Sequence, residues 1–335
     1  MERIVQTWRL PWIVVVLYPG LMLTFDGAIN GYYRSGSLAM ALGALLAMLL
    51  ATAIPPLALR ALLISRNEAV PVLRRGLLYV MFGVPSLFSL TYTITRFAGG
   101  TKPIFFVLWV SAWLALGLLL HLRGDRAPAN AHEQPVAWLR VVHGVTALVL
   151  LCGFLVAHLA NHSLALWSVE LHGAVLKTLR LWYRSEWIEP MLITLLLVMI
   201  ASGVPMVLRH SRQRLDAFRV VQLATGAYVA VFLCSHVIAV LIGRRLDIET
   251  DWFFASGPDS LLDGSSLFGR LIPHYLFSTL CLIVHVGCGL RIVLLKHGIN
   301  PVVSNRALYA VSSVGMVVTV VITAALLGFH IQAPG

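Results

Sequence analysis

Long apolar stretches alternate with short polar ones along the whole chain. Nine of them run near 10–29, 37–64, 73–97, 103–122, 136–162, 188–209, 219–243, 272–296 and 306–330. A membrane-crossing helix needs about 20 predominantly apolar residues, and each stretch is near or above that length. The pattern predicts an all-α, polytopic transmembrane bundle of about nine spans. The segment 123–135, RGDRAPANAHEQP, is the most polar, proline-containing break. It divides a four-helix N-terminal part, residues 1–125, from a five-helix part, residues 136–330. Two longer connections follow, at 163–187 and 244–271.

Composition agrees with this pattern. Of 335 residues, 59% are hydrophobic and 12% charged, with a mean hydropathy of +0.86. A soluble domain carries about 25% charged residues. The four cysteines, Cys152, Cys234, Cys281 and Cys288, all fall in apolar segments and form no CxxC, which argues against zinc or iron–sulphur ligation. The N-terminus has basic residues before an apolar run, yet no small-residue cleavage site follows Leu23. It reads as an uncleaved first helix.

Charge sets the expected orientation. The net charge is +11, which in a soluble protein would suggest nucleic acid. With the N-terminus placed in the cytoplasm, 16 of the 25 Lys and Arg residues fall in inner loops and nine outside. The positive-inside rule accounts for the excess without a nucleic-acid partner, and predicts a cytoplasmic N-terminus.

The histidines inside the spans carry the candidate chemistry. On this topology His158 and His236 lie at one outer depth, while His285 lies deeper. His143 is near the inner end of the span that carries His158, roughly 22 Å away along the axis and within about 60° of the same face. Each could simply line a helix seam against a backbone carbonyl. Ionisable residues within spans are costly and usually functional, however, and several share adjacent helices here. Two neutral imidazoles facing one another in an apolar slot suit a six-coordinate haem iron. Gly153, Gly226, Gly287 and Gly289 would allow a porphyrin to approach backbone. Arg140, Arg219 and Arg291, together with His143, are candidate contacts for haem propionates. The plainer reading of the arginines is interfacial anchoring.

Residues 136–330 resemble the five-helix cytochrome b membrane anchor of succinate:menaquinone oxidoreductases and fumarate reductases. RVVH opens a helix and His158 follows His143 by fifteen residues; QLATG precedes CSH, so Gly226 and His236 are ten apart; HVGCGL is followed by KHGINP. The resemblance implies two b haems, with His158 and His236 ligating the outer one and His285 the inner one. The fourth ligand of that family should fall in LLLVMIASGVP, where this chain has Met199 and no histidine. Met can ligate haem iron beside His and raises its potential. The alternatives are therefore a His285–Met199 haem, a five-coordinate one, or a single haem. Glu189, in SEWIEP, matches the carboxylate that handles protons beside the quinone; it is equally a helix N-terminal carboxylate favoured by the dipole. Trp182, Tyr183 and Trp187 read as interface-belt aromatics. The first four helices lie outside the resemblance; RRGLLYVMFGVP only faintly echoes the family's first helix.

The function implied is an electron-transfer subunit in a prokaryotic inner membrane. It would anchor flavoprotein and iron–sulphur partners on the cytoplasmic side and pass electrons between them and menaquinone through haem b. The chain carries no dinucleotide fingerprint and no cysteine cluster, so dehydrogenase chemistry would belong to the partners. A haem-bearing anchor or sensor for another complex, and a haem-free structural subunit, remain the alternatives.

Overall fold

The computed structural model describes residues 2–67, 72–123, 137–210, 213–258, 260–264 and 267–332. Every regular element among them is helical. The N-terminal part contains α1 (Glu2–Ser35), α2 (Leu38–Thr52), α3 (Ile54–Ile64), α4 (Val72–Phe82), α5 (Val84–Phe97) and α6 (Lys102–Arg123). There follow α7 (Ala137–Leu150), α8 (Val156–Leu164), α9 (Val169–Tyr183), α10 (Ile188–His210) and α11 (Ala217–Arg245). The short α12 (Trp252–Ser256) precedes α13 (Leu271–Lys296) and α14 (Pro301–Leu326). The 123–135 linker lies outside the described residues apart from Arg123, so the division into 1–125 and 136–330 rests on the sequence.

Eight helical stretches among the described residues are long and apolar enough to cross a membrane. A ninth results if α4 and α5 count together, and their axes differ by 77°. The chain is a multi-pass helical membrane protein by length and composition. The span expected at 73–97 is thus bent, and Pro85 explains it. Proline lacks an N–H and its ring opposes the carbonyl four residues back, so the helix stops at Phe82 and restarts after Gly83. The span 37–64 has a milder joint at Ala53, where Pro55 and Pro56 enter the first turn of α3.

Packing centres on α11, which contacts α4, α5, α10 and α13. One buried cluster runs from Val15 and Tyr18 of α1, through Phe82 and Phe88, to Tyr228 and Cys281. Phe88 is met edge-on by Tyr18, Phe105 and Trp109 at centroid distances of 4.8, 4.9 and 5.0 Å. Such pairs contribute about 0.5–1.5 kcal/mol each beyond area burial. Polar ties reinforce the same seam. Ser86 of α5 lies 3.0 Å from His274 Nδ1 of α13. Asn30 of α1 donates to the Gly264 carbonyl at 2.8 Å. Asp26 accepts from the backbone N–H of Leu267, a bulky residue held at φ 61°. That conformation costs on the order of 1–3 kcal/mol and persists only where its surroundings over-determine it. The N-terminal helices therefore pack into the same core as the histidine-bearing ones.

The helix through His143 and His158 is not uniform. Between α7 and α8, Leu151–Leu155 forms a π-helical turn containing Gly153. One such turn takes up about one extra residue, so the helix beyond it is rotated by roughly 100° relative to unbroken α-helix. Position 158 then changes from leading position 143 by about 60° to lagging by roughly 40°. Both side chains still point into the bundle.

Candidate functional site

Two histidine pairs face one another across helix seams. At the first level, His158 of α8 and His236 of α11 have ring centroids 6.1 Å apart, with planes inclined by 71°. Each ring is braced by a phenylalanine four residues earlier on its own helix. Phe154 stacks on His158 at 4.8 Å and Phe232 stacks on His236 at 5.4 Å. Residues four apart lie one above the other on a helix, so the F-x-x-x-H spacing produces this stacking. The repeat is visible in the sequence and would have marked both histidines as oriented side chains.

Further aromatic groups adjoin this level. His162, one turn beyond His158, meets it edge-on at 4.5 Å. His172 of α9 stacks on His162 at 5.3 Å, and Trp252 of α12 covers His172 at 5.0 Å. His172 is 1% exposed and neither of its ring nitrogens has a hydrogen-bond partner. Burial, then Arg180, pushes its pKa down from 6.5 to about 4, so the ring is neutral at physiological pH.

The second level is formed by His143 of α7 and His285 of α13. Their centroids are 6.2 Å apart and their planes 83° apart. His285 Nδ1 lies 2.9 Å from the Gln222 carbonyl of α11. A carbonyl can only accept, so Nδ1 carries the proton and Nε2 keeps its lone pair. His143 Nδ1 lies 3.0 Å from Ser202 Oγ of α10. That hydroxyl donates to the Val198 carbonyl at 2.6 Å and reaches the Met199 carbonyl at 3.2 Å. With that proton directed at the carbonyls, the hydroxyl oxygen is placed to accept from Nδ1 of His143. In this arrangement both rings engage Nδ1 and leave Nε2 towards the bundle interior without a hydrogen bond to protein.

Glycine makes room at the same level. A Cβ on Gly226 would stand 2.6 Å from Cε1 of His285, and one on Gly203 would stand 3.3 Å from Cε1 of His143. The first contact would force the ring to move, so His285 keeps this position against α11 because position 226 has no side chain. Met199 sits on α10 one turn before Ser202, with its backbone carbonyl against His143. The ring that faces His285 is that of His143.

A cavity of about 260 Å³ opens beside this level, lined by Asp216, Arg219, Gln222, Cys288, Arg291 and Lys296 among others. Arg219 donates to Gln222 Oε1 at 2.7 Å. Arg291 donates to Asn305 Oδ1 at 2.7 Å, and its guanidinium lies 4.0 Å over the Phe218 ring. Arg140 and Arg291 are both near enough to Arg219 to interact electrostatically. The three arginines named from the sequence thus form one basic group. Glu189 lies elsewhere, in an ion pair with Arg244 near the far end of α11, where Nη2 reaches Oε2 at 3.2 Å.

The spacing of each pair is what two imidazoles on one haem iron would need. Metal–imidazole nitrogen bonds are about 2 Å and the nitrogen lies about 1 Å from its ring centre, so two axial imidazoles on one metal have centroids about 6 Å apart. Both pairs meet this spacing. Among the described residues no group of three or more His, Cys, Asp or Glu could hold a bare metal ion. A porphyrin supplies four nitrogens itself and asks only two ligands of the protein. No protein family, curated protein or solved structure matches the chain.

Proposed function

We propose that the chain is a membrane-bound b-type cytochrome that relays electrons between a cytoplasmic flavoprotein and iron–sulphur partner and menaquinone. The observation that carries the reading is the His158–His236 pair, with rings 6.1 Å apart and each stacked on a phenylalanine. Bound haem would supply one-electron chemistry. The chain's own residues orient the imidazoles, with Phe154 stacked on His158 and Phe232 on His236. Two such levels on one transmembrane helix suit electron passage along the membrane normal. The excess of arginine in alternate loops supports an N-terminus on the cytoplasmic side of a prokaryotic inner membrane, with the basic loops available to a soluble partner.

A second reading, a haem-bearing anchor or sensor for another complex, draws support from the N-terminal helices, which share the core with the histidine-bearing ones. Purified protein tests the proposal through its reduced-minus-oxidised spectrum and pyridine haemochrome. A low-spin b-type signal is expected, and His158→Ala and His236→Ala should each remove it from that site. A haem-free protein would end the electron-transfer reading and leave a structural subunit. Co-purification of a flavoprotein would separate the first reading from the second.

A further inference from the structure

We infer that a second haem is ligated by His143 and His285, so that the single helix α7–α8 provides an axial ligand at both levels and Met199 provides none. The inference rests on the haem reading of the His158–His236 pair and adds to it a ligand set that the sequence pattern does not contain. In the pattern this chain resembles, the four ligands come from four helices. Here the one histidine of α10, His210, stands at its C-terminal end against the Met206 carbonyl, away from the position of Met199, and the structure fills the vacant role from α7 instead.

Four independent features converge on this pair. The centroid separation is 6.2 Å, within 0.1 Å of the 6.1 Å between His158 and His236. Both Nδ1 atoms are engaged as donors, to Ser202 Oγ and to the Gln222 carbonyl, which leaves both Nε2 lone pairs available. Metal-ligating histidines usually donate their second nitrogen in this way, and the bond fixes tautomer and ring orientation together. Gly226 and Gly203 are the positions where a methyl group would strike the two rings. The adjoining cavity presents Arg219, Arg291 and Lys296 against one Asp216, a surplus that balances two carboxylates such as those of haem propionates. Met199 contributes something else: its carbonyl helps to hold the Ser202 hydroxyl that orients His143.

Haem stoichiometry and electron paramagnetic resonance of the full chain decide the matter without reference to turnover. The wild type should bind two haems, both with bis-imidazole spectra. His143→Ala and His285→Ala should each bind one and retain the His158–His236 signal, which also reports that the bundle has folded. Met199→Leu should keep two haems with unchanged spectra. His143→Gly supplied with free imidazole should regain the second low-spin signal. The inference is overturned if His143→Ala still binds two haems, or if Met199→Leu loses one. It is equally overturned if His143→Ala loses both haems and His143→Gly is not rescued by imidazole. One haem in the wild type, lost on His158→Ala, would refute the second site alone; none at all would refute the reading beneath it.

Discussion

Gly226→Ala is the sharpest perturbation of the His143 level, because it should separate ligand geometry from protein stability. The added methyl would lie 2.6 Å from His285 Cε1, whereas carbon atoms rest at about 3.5–4.0 Å. The ring must therefore retreat by about 1 Å. Metal–ligand distances tolerate about 0.2 Å, so the displacement exceeds the allowance several-fold. Moving the ring also weakens the 2.9 Å bond to the Gln222 carbonyl, and an unmade buried hydrogen bond costs about 1–3 kcal/mol. Against this, Ala is favoured over Gly within a helix by about 1 kcal/mol. The net stability change is thus only about 0–2 kcal/mol, while haem retention at this level should collapse. Gly20→Ala is the control: it lies on α1, which carries no histidine, and a methyl there meets nothing within 4 Å. Haem per chain and the thermal midpoint in detergent should be measured for both. Gly226→Ala should lose one haem while the midpoint of its haem-free form stays close to that of the haem-free wild type, and Gly20→Ala should lose none. Equal haem content in the two variants would refute the steric argument.

Three further outcomes are expected. Ser202→Ala removes the acceptor for His143 Nδ1 and frees its tautomer; haem affinity at that level should fall about 10–100-fold, the usual effect of deleting such a partner, by titration of apoprotein. His172→Phe should be neutral or stabilising, because it replaces a buried ring with two unpartnered nitrogens by an apolar one of similar shape. It should also flatten the pH dependence of stability. With the folded pKa lowered from 6.5 to about 4, wild-type stability is intact above pH 6.5 and is lost as pH falls from there towards 4, since the unfolded chain then binds the extra proton. An unchanged acid limb in the thermal midpoint of the variant would contradict this. Cysteine introduced at Arg214 should label from the cytoplasmic side and at Asp247 from the opposite side, and the reverse would invert the orientation.

The spans were legible because a bilayer imposes a one-dimensional rule: about 20 contiguous apolar residues per crossing, whatever the neighbours. The break before Pro85 was also present in the sequence, since proline acts through its own backbone, though the 77° angle was not. Equal depth of His158 and His236 follows from counting residues along two helices. Which imidazole faces which is a different kind of fact. It depends on the rotation of each helix about its axis, and the π turn at Leu151–Leu155 shifts that rotation by about one residue. The family resemblance placed Met199 opposite His285, where the packed bundle presents His143. Ser202 and the Gln222 carbonyl carry no motif, because a hydroxyl and a main-chain oxygen acquire meaning only when an imidazole from another helix arrives within 3 Å. Sequence alone determined that this chain spans a membrane and bears imidazoles within it. Tertiary structure decided their partners, because contacts between helices are set by packing of whole surfaces and not by local composition.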